Sequence, residues 1–173
     1  MKKIFQLLLG LLAFSFVSAQ ENFEVSTLRI GPYKVFMKSA EIEKISGTKL
    51  KITDGEYKNS VKYNGEILMI STSQEYDNDG KETNRYSIYG ISTTSKKFRT
   101  KSGIGVGSTK DEIINAYKNY PSYSAYPGWD DKGKPIKNQS YFILNDSDAS
   151  TILSFKLVDN IVTEISVSLN EGC

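Results

Sequence analysis

The chain has 173 residues, with 22 Lys+Arg against 20 Asp+Glu, no His, and a single Cys at its last position. That length suits one compact unit or two small repeats. The missing His excludes every mechanism that needs an imidazole base, shuttle or metal ligand, and Cys173 alone supports neither an internal disulfide nor a thiolate cluster.

Lys2 and Lys3 precede an almost continuous apolar run from Ile4 to Phe16, and Val17-Ser18-Ala19 puts small residues where a signal peptidase cuts. Residues 1–19 therefore read as a secretory signal peptide, because the apolar run falls short of the ~20 residues a bilayer span needs. Gln20 stands where a lipid-anchored precursor would need Cys. The expected mature chain is Gln20–Cys173, periplasmic or secreted, with no membrane span after cleavage. Loss of the two lysines leaves equal numbers of cationic and acidic residues. A neutral surface has no general pull toward nucleic acid or anionic lipid. A chain of this size buries enough surface to do without internal disulfides. Cys173 is either a plain terminal thiol or, in an oxidising compartment, the link of a dimer.

Ser39 to Ile45 reads as a short helix closed by Gly47. Tyr63-Asn64-Gly65-Glu66 is a hairpin turn, since Asn-Gly accepts two positive φ angles at little cost, and Ile67-Leu68-Met69-Ile70 follows as a candidate buried strand. Asp79-Gly80 marks a second hairpin leading into Arg85 to Thr93. Gly103-Ile104-Gly105-Val106-Gly107 is a permissive loop, after which Ser108 or Thr109 caps a helix running to Tyr120 and stopped by Pro121. Thr109-Lys110-Asp111-Glu112 fits a capping box, and Ile113, Ala116, Tyr117 and Tyr120 share one helical face. At the end, Leu153, Phe155 and Leu157 alternate with Ser154 and Lys156. Asp159-Asn160 turns the chain, and Ile161, Thr163, Ile165, Val167 and Leu169 are expected to share the inner face of the return strand.

Two segments align without gaps at an offset of 71: Val35 to Ile42 against Val106 to Ile113, with Val, Glu and Ile identical. Each opens a helix, and each helix leads to hairpin-linked strands. Ile88-Tyr89-Gly90-Ile91 sits in the first unit where Val162-Thr163-Glu164-Ile165 sits in the second. The expected fold class is α+β, as two tandem repeats over 20–100 and 101–173, each a short helical segment plus antiparallel sheet. Gly103 to Ile113, followed by Phe155 to Ile165, resembles the signature of the β-lactamase-inhibitor-protein-like superfamily, whose members include an inhibitory protein and a small outer-membrane assembly lipoprotein. The resemblance covers about residues 28–169, more clearly in the second copy. The first copy departs from the pattern: Met37-Lys38-Ser39 lacks a capping residue at the matching position, and Tyr76 to Asn84 looks inserted. The resemblance implies a noncatalytic exported module that binds another protein, and no contact residue carries over from it.

Motifs of catalysis fail on detail, so no catalytic, cofactor-binding or metal residue is assigned. Gly103 to Lys110 has the glycines of a phosphate loop but the order Ser108-Thr109-Lys110, where Gly-Lys-Ser/Thr is required. Ser46-Gly47-Thr48-Lys49 has the Ser-x-x-Lys spacing at a helix end, whereas the chemistry needs a helix start. Glu75 to Gly80 begins like a Ca²⁺ loop, but Tyr86 occupies the twelfth position, where a bidentate carboxylate is needed. A hydrolase using two carboxylates stays formally open, although the acids fall mostly at turns and helix starts.

Aromatic residues recur every third position at Tyr117, Tyr120, Tyr123, Tyr126 and Trp129. The first two belong to the helical face, while Tyr123, Tyr126 and Trp129 fall in a stretch with Pro, Gly and Ser that reads as a loop. Rigid aromatics with a polar tip anchor interfaces, and Asp130, Asp131 and Lys132 would supply a polar rim. Two alternatives stay open for these rings, an interface or a cap folded back on the sheet. The expected function is an exported noncatalytic protein-binding module of inhibitor, immunity or envelope-assembly type, whose partner is an unidentified envelope or extracellular protein. The alternative is a small-ligand or glycan-binding protein using the same aromatics.

Overall fold

A computed structural model describes residues 22–51 and 57–170. The expected signal peptide and Cys173 lie outside the described residues. In chain order the elements are β1 (Glu24–Val25), β2 (Arg29–Ile30), β3 (Tyr33–Lys34), α1 (Ser39–Ser46), β4 (Tyr57–Tyr63), β5 (Glu66–Tyr76), β6 (Glu82–Thr93), β7 (Arg99–Thr100), α2 (Lys110–Tyr117), β8 (Tyr123–Trp129), β9 (Pro135–Asp146), β10 (Thr151–Val158) and β11 (Ile161–Leu169). Seven strands form one sheet in the order β4-β5-β6-β11-β10-β9-β8, and four short strands form a second in the order β3-β2-β1-β7.

This overturns the expected α+β pair of helix-plus-sheet repeats. Of the described residues, 53% lie in strands and 11% in helices, a β-rich fold. Strands from both halves of the chain enter one sheet, because β6 pairs antiparallel with β11 from Gly90↔Ser168 to Thr93↔Ile165. Each helix is only 8 residues long, too short to stand as a layer without the sheet it packs on.

The alternation along each strand explains which face is buried. Leu68 and Ile70 of β5, Ile91 of β6, Ile165 and Val167 of β11, Leu153, Phe155 and Leu157 of β10, and Phe142 and Leu144 of β9 all lie in one core cluster. Ile42 of α1, Ile113 and Tyr117 of α2, and Ile30 and Tyr33 of the small sheet close the cluster from the other side. Tyr117 is the hinge pin of that packing. Its ring lies 6.0 Å from Phe155 at 28°, and its hydroxyl donates to Thr100 Oγ1 at 2.7 Å.

Local expectations fare unevenly. The capping box at α2 is complete: Thr109 Oγ1 accepts from the Glu112 N–H and the Glu112 carboxylate accepts from the Thr109 N–H. The helix stops at Tyr117 rather than Tyr120, and Ala116 is exposed. β5 is half-buried, with Ile67 and Met69 exposed, where a wholly buried run is expected. On β11 the inner face begins at Val162, because the register with β10 shifts between Lys156↔Glu164 and Leu157↔Val162. That bulge leaves Ile161 and Thr163 exposed, contrary to simple alternation.

One local device recurs at the offset of 71. The Phe36 N–H donates to Ile88 O at 2.8 Å and the Ile88 N–H to Met37 O at 2.9 Å, while the Gly107 N–H donates to Val162 O at 2.8 Å and the Val162 N–H to Ser108 O at 2.9 Å. Both lead-ins need a left-handed residue, with φ of 69° at Phe36 and 92° at Gly107. Gly107 adopts it freely, whereas a bulky side chain is strained there by about 1–2 kcal/mol. Phe36 recovers little by burial, since it is 51% exposed. Phe36→Gly should therefore leave stability unchanged or raise it by up to about 1 kcal/mol, the relief of strain outweighing the entropy of Gly. Urea titration checks this, and a loss above about 2 kcal/mol would mean the ring is packed.

Candidate functional site

The expected aromatic loop is an edge strand. Tyr123 to Trp129 form β8, paired with β9 from Tyr123↔Leu144 to Pro127↔Ser140. Pro127 and Gly128 read as turn residues in sequence, yet each has a place in a strand. The Asn145 N–H donates to Ser122 O, so Ser122, Ser124 and Tyr126 direct their main-chain groups to β9. Pro127 then falls where an N–H would point outward, the position an edge strand tolerates. Between Pro127↔Ser140 and Trp129↔Pro135, β8 advances two residues and β9 five, and the extra residues bulge at Asn138, whose φ is 64°. The Gln139 side chain crosses Gly128 so closely that a Cβ there would lie 2.3 Å from Gln139 Nε2.

The three rings are 49%, 43% and 55% exposed at Tyr123, Tyr126 and Trp129. They do not converge on one patch. Tyr123 lies on the helix side of the sheet, stacked 5.3 Å from Phe142, whereas Tyr126 lies on the opposite side, 5.8 Å from Tyr141. Asp130 is a turn former rather than a rim. Its Oδ1 accepts from the Lys132 and Lys134 N–H groups at 2.9 and 2.8 Å, and its carbonyl accepts from the Gly133 N–H. Asp131 is exposed at the tip of the same turn.

The same turn recurs at the candidate Ca²⁺ loop. Asp77 Oδ1 accepts from the Asp79 and Lys81 N–H groups, and the Asp77 carbonyl accepts from the Gly80 N–H. Both sites read Asp-x-x-Gly-Lys, so the carboxylates serve the hairpin backbone. Nearby, Glu75 pairs with Lys38 and, at 3.5 Å, with Arg85. The Lys38 hydrogen bond is the main cause holding the Glu75 carboxyl below its ordinary value.

The glycine loop is likewise closed on itself. Arg99 donates to Val106 O at 3.1 Å, to Ser108 Oγ at 3.2 Å and to Lys96 O at 3.2 Å. The loop carbonyls face a guanidinium and the main chain wraps it, which leaves no cradle of N–H groups for a phosphate. On the same side, Thr27 donates to Asp146 at 2.6 Å, the main cause of the lowered Asp146 pKa. Burial, then the nearby Asp146 charge, raises Tyr120. Burial raises Tyr117, and pushes Tyr33 up to about 12. These are structural groups in or around the core.

The feature missed in sequence is the outer face of the large sheet. Cross-strand registers place Ser60, Met69, Ser92, Ser166, Ser154, Ile143 and Ser124 in one row across all seven strands. The adjoining row holds Lys58, Ser71, Gly90, Ser168, Ile152 and Asn145. Small side chains fill its centre. Larger ones flank it, Ile67 and Met69 toward β4 and Tyr126 and Tyr141 toward β8. Ile143 is only 6% exposed yet lies outside the core cluster, so its cover comes from neighbours on the outer face itself. The signal was present as alternation: Ser154 and Lys156, or Glu164, Ser166 and Ser168, are the polar positions of their strands, Ser154 buried and the others half-buried, but pairing across strands brings them together.

A groove of about 280 Å³ runs beside β8, lined by Lys110, Ala125, Pro127, Ser140, Phe142 and Leu157 among others. No family model, curated protein or solved structure matches the chain.

Proposed function

We propose that the chain is an exported, noncatalytic protein-binding module that receives its partner on the outer face of the seven-stranded sheet. The partner is an envelope or extracellular protein, and the task is of inhibitor, immunity or envelope-assembly type. The carrying observation is the row of five serines among seven positions, from Ser60 to Ser124, set between larger apolar side chains. A floor of short side chains lets another protein's projecting side chains approach the main chain, and aromatic and Met flanks supply the apolar contact that anchors interfaces. The sequence resemblance to inhibitor-like proteins and the expected signal peptide point the same way. The Arg99-filled glycine loop and the turn-forming acids support a noncatalytic role.

The test is capture of a partner from the native envelope fraction by chemical crosslinking of Gln20–Cys173, with Ser166→Arg beside the wild type. One stoichiometric partner is expected for the wild type, lost with Ser166→Arg, while the melting temperature stays within about 2 °C, since half-buried Ser166 lies outside the core cluster. Tyr126→Ala should weaken capture too, though less than Ser166→Arg, since Tyr126 stands at the β8 flank of the floor rather than on it. Equal capture by Ser166→Arg would remove the outer face from the interface. A saturable change in the fluorescence of the single Trp129 with glycans, in place of protein capture, would favour ligand binding in the β8 groove.

A further inference from the structure

β8 is the outermost strand of the large sheet, and among the described residues no strand pairs with its outer edge. The Asn145-to-Ser122 hydrogen bond sets the phase of the β8–β9 ladder, so the main-chain groups of Tyr123 and Ala125 point away from β9, as does the carbonyl of Pro127. Every side chain from Pro121 to Pro127 is exposed, and no residue from Pro121 to Trp129 carries a charge. The opposite edge differs. β4 carries exposed Lys58 and Lys62, charges of the kind that keep an edge strand from pairing.

We propose that two copies of this chain pair antiparallel through β8, centred on Ser124, so that one sheet runs through both. In that register Tyr123 of one copy exchanges both main-chain hydrogen bonds with Ala125 of the second, and the reverse, which occupies the outward N–H groups between Pro121 and Pro127. Pro121 falls opposite the second copy's Pro127, so the residues without an N–H meet each other at the two ends of the pairing. Across the strands Tyr123 stands opposite Ala125 and Tyr126 opposite Ser122, large against small. Many extended segments could form the main-chain bonds alone. The proline match and the large–small alternation are instead self-complementary, as a two-fold interface requires. Ser124 lies on the axis at a non-hydrogen-bonded position, where facing Cα atoms lie about 4.5 Å apart. This pairing is independent of Cys173, and it shares only the edge residues Ser124 and Tyr126 with the proposed partner surface on the outer face.

The test uses Gln20–Cys173 carrying Cys173→Ser. Sedimentation at about 50 µM, enough to populate a dimer of micromolar Kd, is expected to show a dimer. Ser124→Cys should then oxidise to a disulfide-linked dimer, since the axial geometry is within disulfide reach, while Ser60→Cys on β4 should not. Ser124→Glu, which brings two acids together on the axis, and Ala125→Glu, which sets a charge opposite Tyr123 on each side of it, should both give monomers that melt within about 2 °C of the parent. A monomeric parent, a dimer that survives both Glu variants, or equal crosslinking of Ser124→Cys and Ser60→Cys would overturn the proposal. A monomer whose β8 instead takes a foreign strand would overturn it too, and would leave the outer-face partner to be judged by Ser166→Arg.

Discussion

Phe155→Ala should lower the unfolding free energy by about 4 kcal/mol and the melting temperature by about 12 °C. Phe155 is fully buried at the centre of β10, with Leu153 and Leu157 beside it on the inner face. Tyr117 of α2 stacks on it at 6.0 Å, and Phe142 of β9 lies directly across the ladder. Truncation removes the surface on which α2 rests, and the cavity opens between a helix and two strands that cannot close on each other. Calorimetry or urea unfolding monitors this. A loss under about 1.5 kcal/mol would mean that α2 is not held by this stack.

Gly105→Ala should cost about 3 kcal/mol, by overpacking where neither neighbour can yield. A Cβ at Gly105 would lie 2.5 Å from Arg99 Cδ and 2.6 Å from the Phe98 carbonyl oxygen. Arg99 cannot swing away without releasing Val106 O and Ser108 Oγ, and Phe98 is fully buried in the core. Gly103→Ala is the control. Its Cβ would meet open space, and only its φ of 78° opposes substitution, so a cost of about 1 kcal/mol is expected. Urea unfolding of the two variants separates them, and equal losses would mean that backbone conformation, not the Arg99 clamp, governs the loop.

The local chemistry of the chain was readable from the sequence where one short segment decides its own conformation. Asn64-Gly65 and Asp159-Asn160 turn the chain with positive φ at all four residues, and Thr109-Glu112 caps α2 as its spacing requires. What failed were properties set between strands. The two halves share a sheet because Ile91 and Val167 pair in it, and no local pattern in either segment announces that. Pro127 and Gly128 misled for the same reason. Their turn chemistry is real, but an edge strand accepts Pro127, and the Gln139 side chain lies over Gly128, where a Cβ would have to displace it. The aromatic period of three suggested one cluster, yet strand geometry sends Tyr123 and Tyr126 to opposite sides of the sheet. The serine row was invisible for a further reason: its members come from seven strands spread over residues 60 to 166, and only the registers align them.

The most direct test of the binding surface is site-specific photocrosslinking in the native envelope fraction, with a photoreactive side chain at Ser92 or Ser166, and at Lys101 on the far side of the fold as reference. The outer face predicts one captured protein from Ser92 and Ser166 and none from Lys101. Capture from Lys101 alone, or none from either serine, would contradict it.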